Sequence, residues 1–112
     1  MMCVRGELWW VDLGAPDDRR AALVIQAESF NRSRIGTTII AMLTSNLNRA
    51  QAPGNVLVKC KGTGLAQDSV INVSQIATID KDMLDQRIGQ IAPDVMRAVD
   101  DGIRLCLGLS QG

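Results

Sequence analysis

The chain has 112 residues, 46% of them hydrophobic and 21% charged, with twelve basic residues balancing twelve acidic ones and no histidine. That length holds one core, because two would leave each half too little apolar surface to bury, and the composition excludes a disordered or fibrous protein. No apolar run approaches the ~20 residues that span a bilayer, and the start MMCVRGELWW lacks a signal-peptide core, so a single cytoplasmic domain over residues 1–112, away from membranes, is expected.

Residues 7–13 carry Leu8, Trp9, Trp10 and Val11 and run into Gly14-Ala15-Pro16-Asp17-Asp18, a turn-forming cluster that ends a first strand. Trp9 and Trp10 are neighbours, so on a strand they face opposite ways, one to the core and one outward. Residues 21–25 form a short apolar run with β-branched Val24 and Ile25, which reads as a buried strand. Phe30 is expected to anchor the loop that follows. TTIIAML at 37–43 repeats the strand pattern and stops at Thr44-Ser45-Asn46. Beyond Pro53-Gly54, residues 55–59 and 69–73 give two more strands, separated by Lys61-Gly62-Thr63-Gly64. Residues 75–79 and 87–91 read as short strands flanking a helical turn at 80–84 capped by Asp80. The period then changes: Val95, Met96, Val99, Ile103, Cys106 and Leu107 recur at three- and four-residue steps, opened by Pro93 and Asp94, which predicts an amphipathic C-terminal helix. Short strands followed by one helix indicate a mainly β fold, a small barrel or strongly curved sheet with the helix packed on it.

The missing histidine removes Ser-His-Asp and Cys-His catalysis. Neither a P-loop nor a strand-linked GxGxxG is present, so no nucleotide cofactor is expected. Cys3, Cys60 and Cys106 are widely spaced and form no CxxC pair, which leaves no metal site and no cofactor to expect. Charge is uneven along the chain: eight bases face five acids up to Lys61, and four bases face seven acids after it. Such asymmetry suits a polyanion on one face, although solvated surface charge is the commoner explanation.

Arg19 and Arg20 stand at the head of the second strand, where planar guanidinium groups can grip phosphate through paired hydrogen bonds. Thr44 and Ser45 stand at the end of the third. Each pair taken alone reads as an ordinary loop or strand end. If the two strands are antiparallel neighbours, however, the start of one lies beside the end of the other, and Arg20 and Thr44 share a pocket.

Motif order now becomes informative. RGELWWVDL at 5–13, RAALVIQAESFN at 20–31, IIAMLTSN at 39–46, APGNV at 52–56 and DSVINVSQIATIDK at 68–81 together resemble the MazF/PemK toxin family over nearly the whole chain. The resemblance implies an SH3-like barrel (PemK/CcdB-like), a homodimer, and a sequence-specific, metal-independent endoribonuclease that cuts single-stranded messenger RNA to 2′,3′-cyclic phosphate and 5′-OH ends. It also implies silencing by a MazE-like antitoxin in a type II toxin–antitoxin system. By position, the family's catalytic arginine falls on Arg20 and its catalytic threonine on Thr44, while Ser45, Gln75, Asn31 and Arg19 are RNA-contacting candidates; a glutamine such as Gln75 can read a base edge. Ala21 replaces the proline usual after the arginine, and the loop at 14–19 is shorter than the family's glycine-rich one, which opens the question of substrate choice.

Two other classes are weighed beside this. A CcdB-like barrel toxin that binds gyrase and performs no chemistry would be sought in the helix end Leu105-Cys106-Leu107-Gly108-Leu109, whose apolar residues are expected to pack on the barrel. A peptide-binding module of the SH3 kind is disfavoured by an aromatic content limited to Trp9, Trp10 and Phe30.

Overall fold

The computed structural model describes residues 2–109. Six strands, β1 (Glu7–Asp12), β2 (Arg19–Val24), β3 (Thr37–Thr44), β4 (Val56–Val58), β5 (Ser69–Asp80) and β6 (Leu84–Gln90), form one antiparallel sheet in the order β4-β5-β3-β2-β1-β6. Two helices, α1 (Glu28–Asn31) and α2 (Pro93–Leu107), complete the fold. The sheet is curled into a half-barrel, so both of its faces are covered. Trp9, Val11, Val24, Ile40 and Met42 fill one side with Leu84. Leu8, Leu23, Ala41, Ile71 and Val73 fill the other, against Val95, Met96, Val99 and Ile103 of α2. This double burial explains why the second and third strands read as continuous apolar runs instead of alternating ones.

The β1–β2 hairpin turns within six residues. Gly14 and Asp17 take positive φ, and the Leu13 amide donates to the Asp18 carbonyl at 3.1 Å. Trp9 is the core tryptophan, and its indole N–H donates to the buried Glu7 carboxylate at 3.2 Å. Glu7 in turn pairs with Arg87 on β6. Trp10 faces the other way and is half-buried.

Several expectations need revision. The segments 69–73 and 75–79 are one strand, β5, interrupted by a bulge: Met42 pairs with Asn72 and Ala41 with Ile76, leaving Val73, Ser74 and Gln75 outside the ladder. The Val73 amide freed by the bulge donates instead to Asn55 Oδ1 at 3.0 Å. The helical turn is a 3-10 turn at Lys81–Met83, and Asp80 makes no side-chain cap. Residues 47–51, unassigned from sequence, form another 3-10 turn, capped by Asn46 accepting from the Asn48 amide at 3.2 Å. Phe30 is no loop anchor: it sits on α1 with 53% of its surface exposed. The helix end also departs from expectation, since Leu105, Cys106 and Leu107 stand in solvent while Val99 and Gly102 are the buried positions. The sheet underlies only the first three turns of α2, and a left-handed Gly108 closes it as the Leu109 amide turns back to the Arg104 carbonyl at 2.8 Å. No helix among the described residues is long and apolar enough to cross a membrane.

The curl brings the loop between β4 and β5 onto the edge strand β6. A Cβ at Gly89 on β6 would overlap the Thr63 carbonyl, and one at Gly64 would overlap the Ile88 carbonyl. Backbone therefore meets backbone across this seam, which only glycine permits. The loop between β4 and β5 is held against β6 as a result.

Candidate active site

Strands β2 and β3 pair antiparallel with Ala22 opposite Met42 and Leu23 opposite Ala41. Carried two residues further, that register sets Arg20 across from Thr44. Both line an open cleft of about 310 Å³ at the end of the sheet. One side of the cleft is built by Trp10, Arg19, Arg20 and Ala21, the floor by Leu43, Thr44 and Ser45, and the opposite wall by Leu65, Ala66, Gln67 and Ser69. The juxtaposition that the sequence offered only conditionally follows from strand order and register.

The two arginines differ in what holds them. Arg20 is exposed and takes part in no ion pair among the described residues; its Nη2 makes one long hydrogen bond, 3.4 Å, to the Leu43 carbonyl. Its charge is thus left available to an incoming anion. Arg19 is anchored: its Nε lies 2.9 Å from Asp85 Oδ2, and its guanidinium carbon lies 5.2 Å from the centre of the Trp10 ring. Trp10, the outward-facing member of the tryptophan pair, thereby forms part of the cleft. Thr44 is half-buried, and its hydroxyl accepts from the Asn46 amide at 3.2 Å, which fixes the side chain while leaving its proton free to donate. Ser45, exposed beside it, lines the cleft as well.

Two RNA-contacting candidates lie elsewhere. Gln75 is exposed in the β5 bulge and is absent from the cleft lining. Asn31 is buried, and every polar site of its amide is used inside the fold. Its Oδ1 accepts from Gln26 Nε2 and Thr38 Oγ1, both at 2.9 Å. Its Nδ2 donates to the Gln26 carbonyl at 2.9 Å and to Glu28 Oε1 at 3.3 Å. Asn31 is therefore committed to hydrogen bonds within the fold. Leu65, Ala66 and Gln67, which sequence reasoning missed, carried no signal beyond a glycine-bearing loop.

That loop is tied at both ends. The Cys60 amide donates to Asp68 Oδ1 at 2.8 Å, and Thr63 Oγ1 donates to the Cys60 carbonyl at 2.7 Å while accepting from the Leu65 amide. Hydrogen bonding from the Cys60 amide and thiol, with Lys59 nearby, holds the Asp68 carboxyl below the usual aspartate range. The stabilisation is present above the ordinary aspartate pKa of ~3.9 and is lost as pH falls through the depressed folded value. The loop should accordingly keep this tie throughout the neutral range. The reciprocal effect pushes the Cys60 thiol up, chiefly through its bond to Asp68. Asp68→Asn is expected to speed alkylation of Cys60 by iodoacetamide at pH 8 severalfold, read by peptide mass spectrometry; an unchanged rate would show that Asp68 does not hold the thiol.

Comparison with known proteins places the fold and cleft in context. The family described as PemK-like, MazF-like toxin of type II toxin–antitoxin system matches residues 4–107. The chain belongs to this family. Endoribonuclease MazF6 of Mycobacterium tuberculosis is 42% identical over 114 aligned positions, covering 97% of this chain and all of that protein. Endoribonuclease EndoA of Bacillus subtilis is 33% identical, with 97% of each chain covered. Among solved structures, an endoribonuclease from Mycobacterial species superposes with a TM-score of 0.83 at 22% identity over 100% of this chain and 97% of the other. An endoribonuclease in complex with its cognate antitoxin, also from Mycobacterial species, gives 0.80 at 22% identity over 99% and 98%. At those identities the structural matches speak to fold, and they agree with the curled MazF-family sheet and its terminal helix.

Proposed function

We propose that this MazF-family toxin is a sequence-specific endoribonuclease that cuts single-stranded RNA without a metal, with Arg20 and Thr44 as its catalytic residues. The observation that carries this reading is the shared cleft, in which a guanidinium with no ion pair among the described residues lies with a fixed hydroxyl at the adjacent ends of β2 and β3. The curated relatives named as endoribonucleases support the same reaction class.

The cleft lining contains no carboxylate, thiol or imidazole. It therefore offers charge stabilisation rather than a strong base or a metal-ligand set, and among the described residues no three such groups gather elsewhere to hold a metal. Under this reading the ribose 2′-oxygen attacks the adjacent phosphorus as its proton passes to water, the bond from phosphorus to the 5′-oxygen breaks, and that oxygen takes a proton from water, giving a 2′,3′-cyclic phosphate and a 5′-OH. Arg20 neutralises the charge that grows on the phosphorane oxygens, and Thr44 donates a hydrogen bond that holds one of them in place. Arg19 and Ser45 contact the RNA on either side of that centre.

The test is cleavage of a long mixed-sequence RNA in EDTA. Thr44→Ala is expected to lose about thirtyfold to a hundred-and-fiftyfold in rate, since a hydrogen-bond donor aimed at a transition-state oxygen is worth ~2–3 kcal/mol. The wild-type products should carry 5′-OH ends. Full activity in Thr44→Ala, or a requirement for added metal, would defeat the assignment.

The partners follow from the same reading. The apolar groove of about 370 Å³ that Phe30 shares with Ile25, Ile39, Ile76, Ile103 and Leu107 supports a homodimer that covers it. Arg20, Arg34, Arg49 and Lys61 enter no ion pair among the described residues and lie in the basic part of the sequence, which suits the acidic segment of a MazE-like antitoxin. A cytoplasmic location fits an enzyme whose substrate is messenger RNA. The exposed apolar end of α2, with Leu105, Leu107 and Leu109, is where the gyrase-binding alternative would act, and inhibition of gyrase by a protein that leaves RNA intact would favour it over RNA cleavage.

A further inference from the structure

The wall of the cleft opposite Arg20 is rigid and carries one uncommitted side chain. Its hydrogen bonds to Cys60, Thr63 and Asp68, and the glycine seam that presses Thr63 and Gly64 onto β6, fix the loop before any ligand arrives. Most polar groups facing the cleft are already engaged. Arg19 is held by Asp85, and the buried Ser69 hydroxyl donates to the Gln67 carbonyl at 3.2 Å. Arg20 and Thr44 face a phosphate, and Ser45 has only a short hydroxyl. Gln67 differs: it is exposed, it lines the cleft, and no hydrogen bond among the described residues engages its carboxamide.

A free carboxamide presents a donor and an acceptor side by side, the pattern needed to tell one base edge from another. Phosphate recognition carries no sequence information, so a cleft built around Arg20 and Thr44 needs a separate reader to prefer one cut site. We propose that Gln67 is a specificity-determining residue, reading the edge of one base next to the scissile phosphate while the seam at Gly64 and Gly89 holds it at a fixed distance from Arg20. This rests on the RNA-cleavage reading above.

The experiment maps cleaved ends on a long mixed-sequence RNA for the wild type, Gln67→Ala, Gln67→Glu and Gln75→Ala. Each replaced side chain is exposed, so all three variants should fold. Gln67→Ala is expected to relax base preference at one nucleotide position by about tenfold, the value of a lost bidentate contact, with preferences elsewhere retained. Gln67→Glu, which exchanges the amide donor for an acceptor, should change the favoured base at that same position, whereas Gln75→Ala should leave the preference at that position intact. An unchanged motif in both Gln67 variants overturns the proposal, as does a uniform loss of rate at every site without a change of motif. Failure of the wild type to cut RNA would bring down the RNA-cleavage reading and this inference together, an outcome distinct from cleavage with an unaltered motif.

Discussion

Arg20→Ala should slow RNA cleavage by about a hundredfold or more, the loss expected when the principal charge-stabilising group leaves a transition state. The variant should fold normally. Arg20 is exposed, pairs with no carboxylate among the described residues, and contributes one long hydrogen bond to a carbonyl at the end of β3. Surface changes of this sort typically alter stability by ~0.5 kcal/mol or less. Activity and stability are thus expected to separate, and comparing cleavage rates with thermal melts of the same preparations checks this. Arg20→Lys should recover only part of the rate, because an ammonium supplies charge without the planar fork that meets two phosphate oxygens. Undiminished cleavage by Arg20→Ala would remove the centre of the proposed mechanism.

The opposite pattern is expected at Asn31. Asn31→Ala deletes four hydrogen bonds from a buried cluster and leaves the fully buried Thr38 hydroxyl without its acceptor and the Gln26 carbonyl without a donor. Each stranded buried group costs roughly 1–3 kcal/mol, which sums to about 3 kcal/mol. For a domain of this length that lowers the melting temperature by roughly 15 °C. Below the transition, the folded fraction should cut RNA at the wild-type rate. Slow cleavage with an unshifted melt would instead restore Asn31 to the RNA surface.

The contrast between these two residues also marks how far sequence reasoning reaches. The strands and the C-terminal helix are written in local patterns, namely apolar runs bounded by Gly14, Pro53 and Gly54 and the change of period at Val95. The Arg20–Thr44 pair follows once β2 and β3 are neighbours, because register then does the rest. What local patterns cannot carry is where a polar side chain ends up when its partners are distant in sequence. Asn31 and Glu7 look like surface residues until Thr38 and Arg87 close on them. The β5 bulge is hidden for a related reason: Ser74 breaks the apolar pattern as a strand end would, and only the ladder to β3 shows that the chain continues. Gln67 was obscured by its place in a loop whose position is set by β6, a strand that follows it.

The pairing of β1 with β6 sets the order in which the protein can come into being. Glu7 lies opposite Gln90 and Val11 opposite Leu84, so the first strand waits for the last. On a ribosome adding about 5–20 residues per second, β1 is made seconds before its outer partner emerges, and Arg19 lacks Asp85 for the same interval. Contacts of such long separation form late. A nascent chain of this toxin therefore completes its cleft only once β6 has emerged, well after Arg20 and Thr44 have been made.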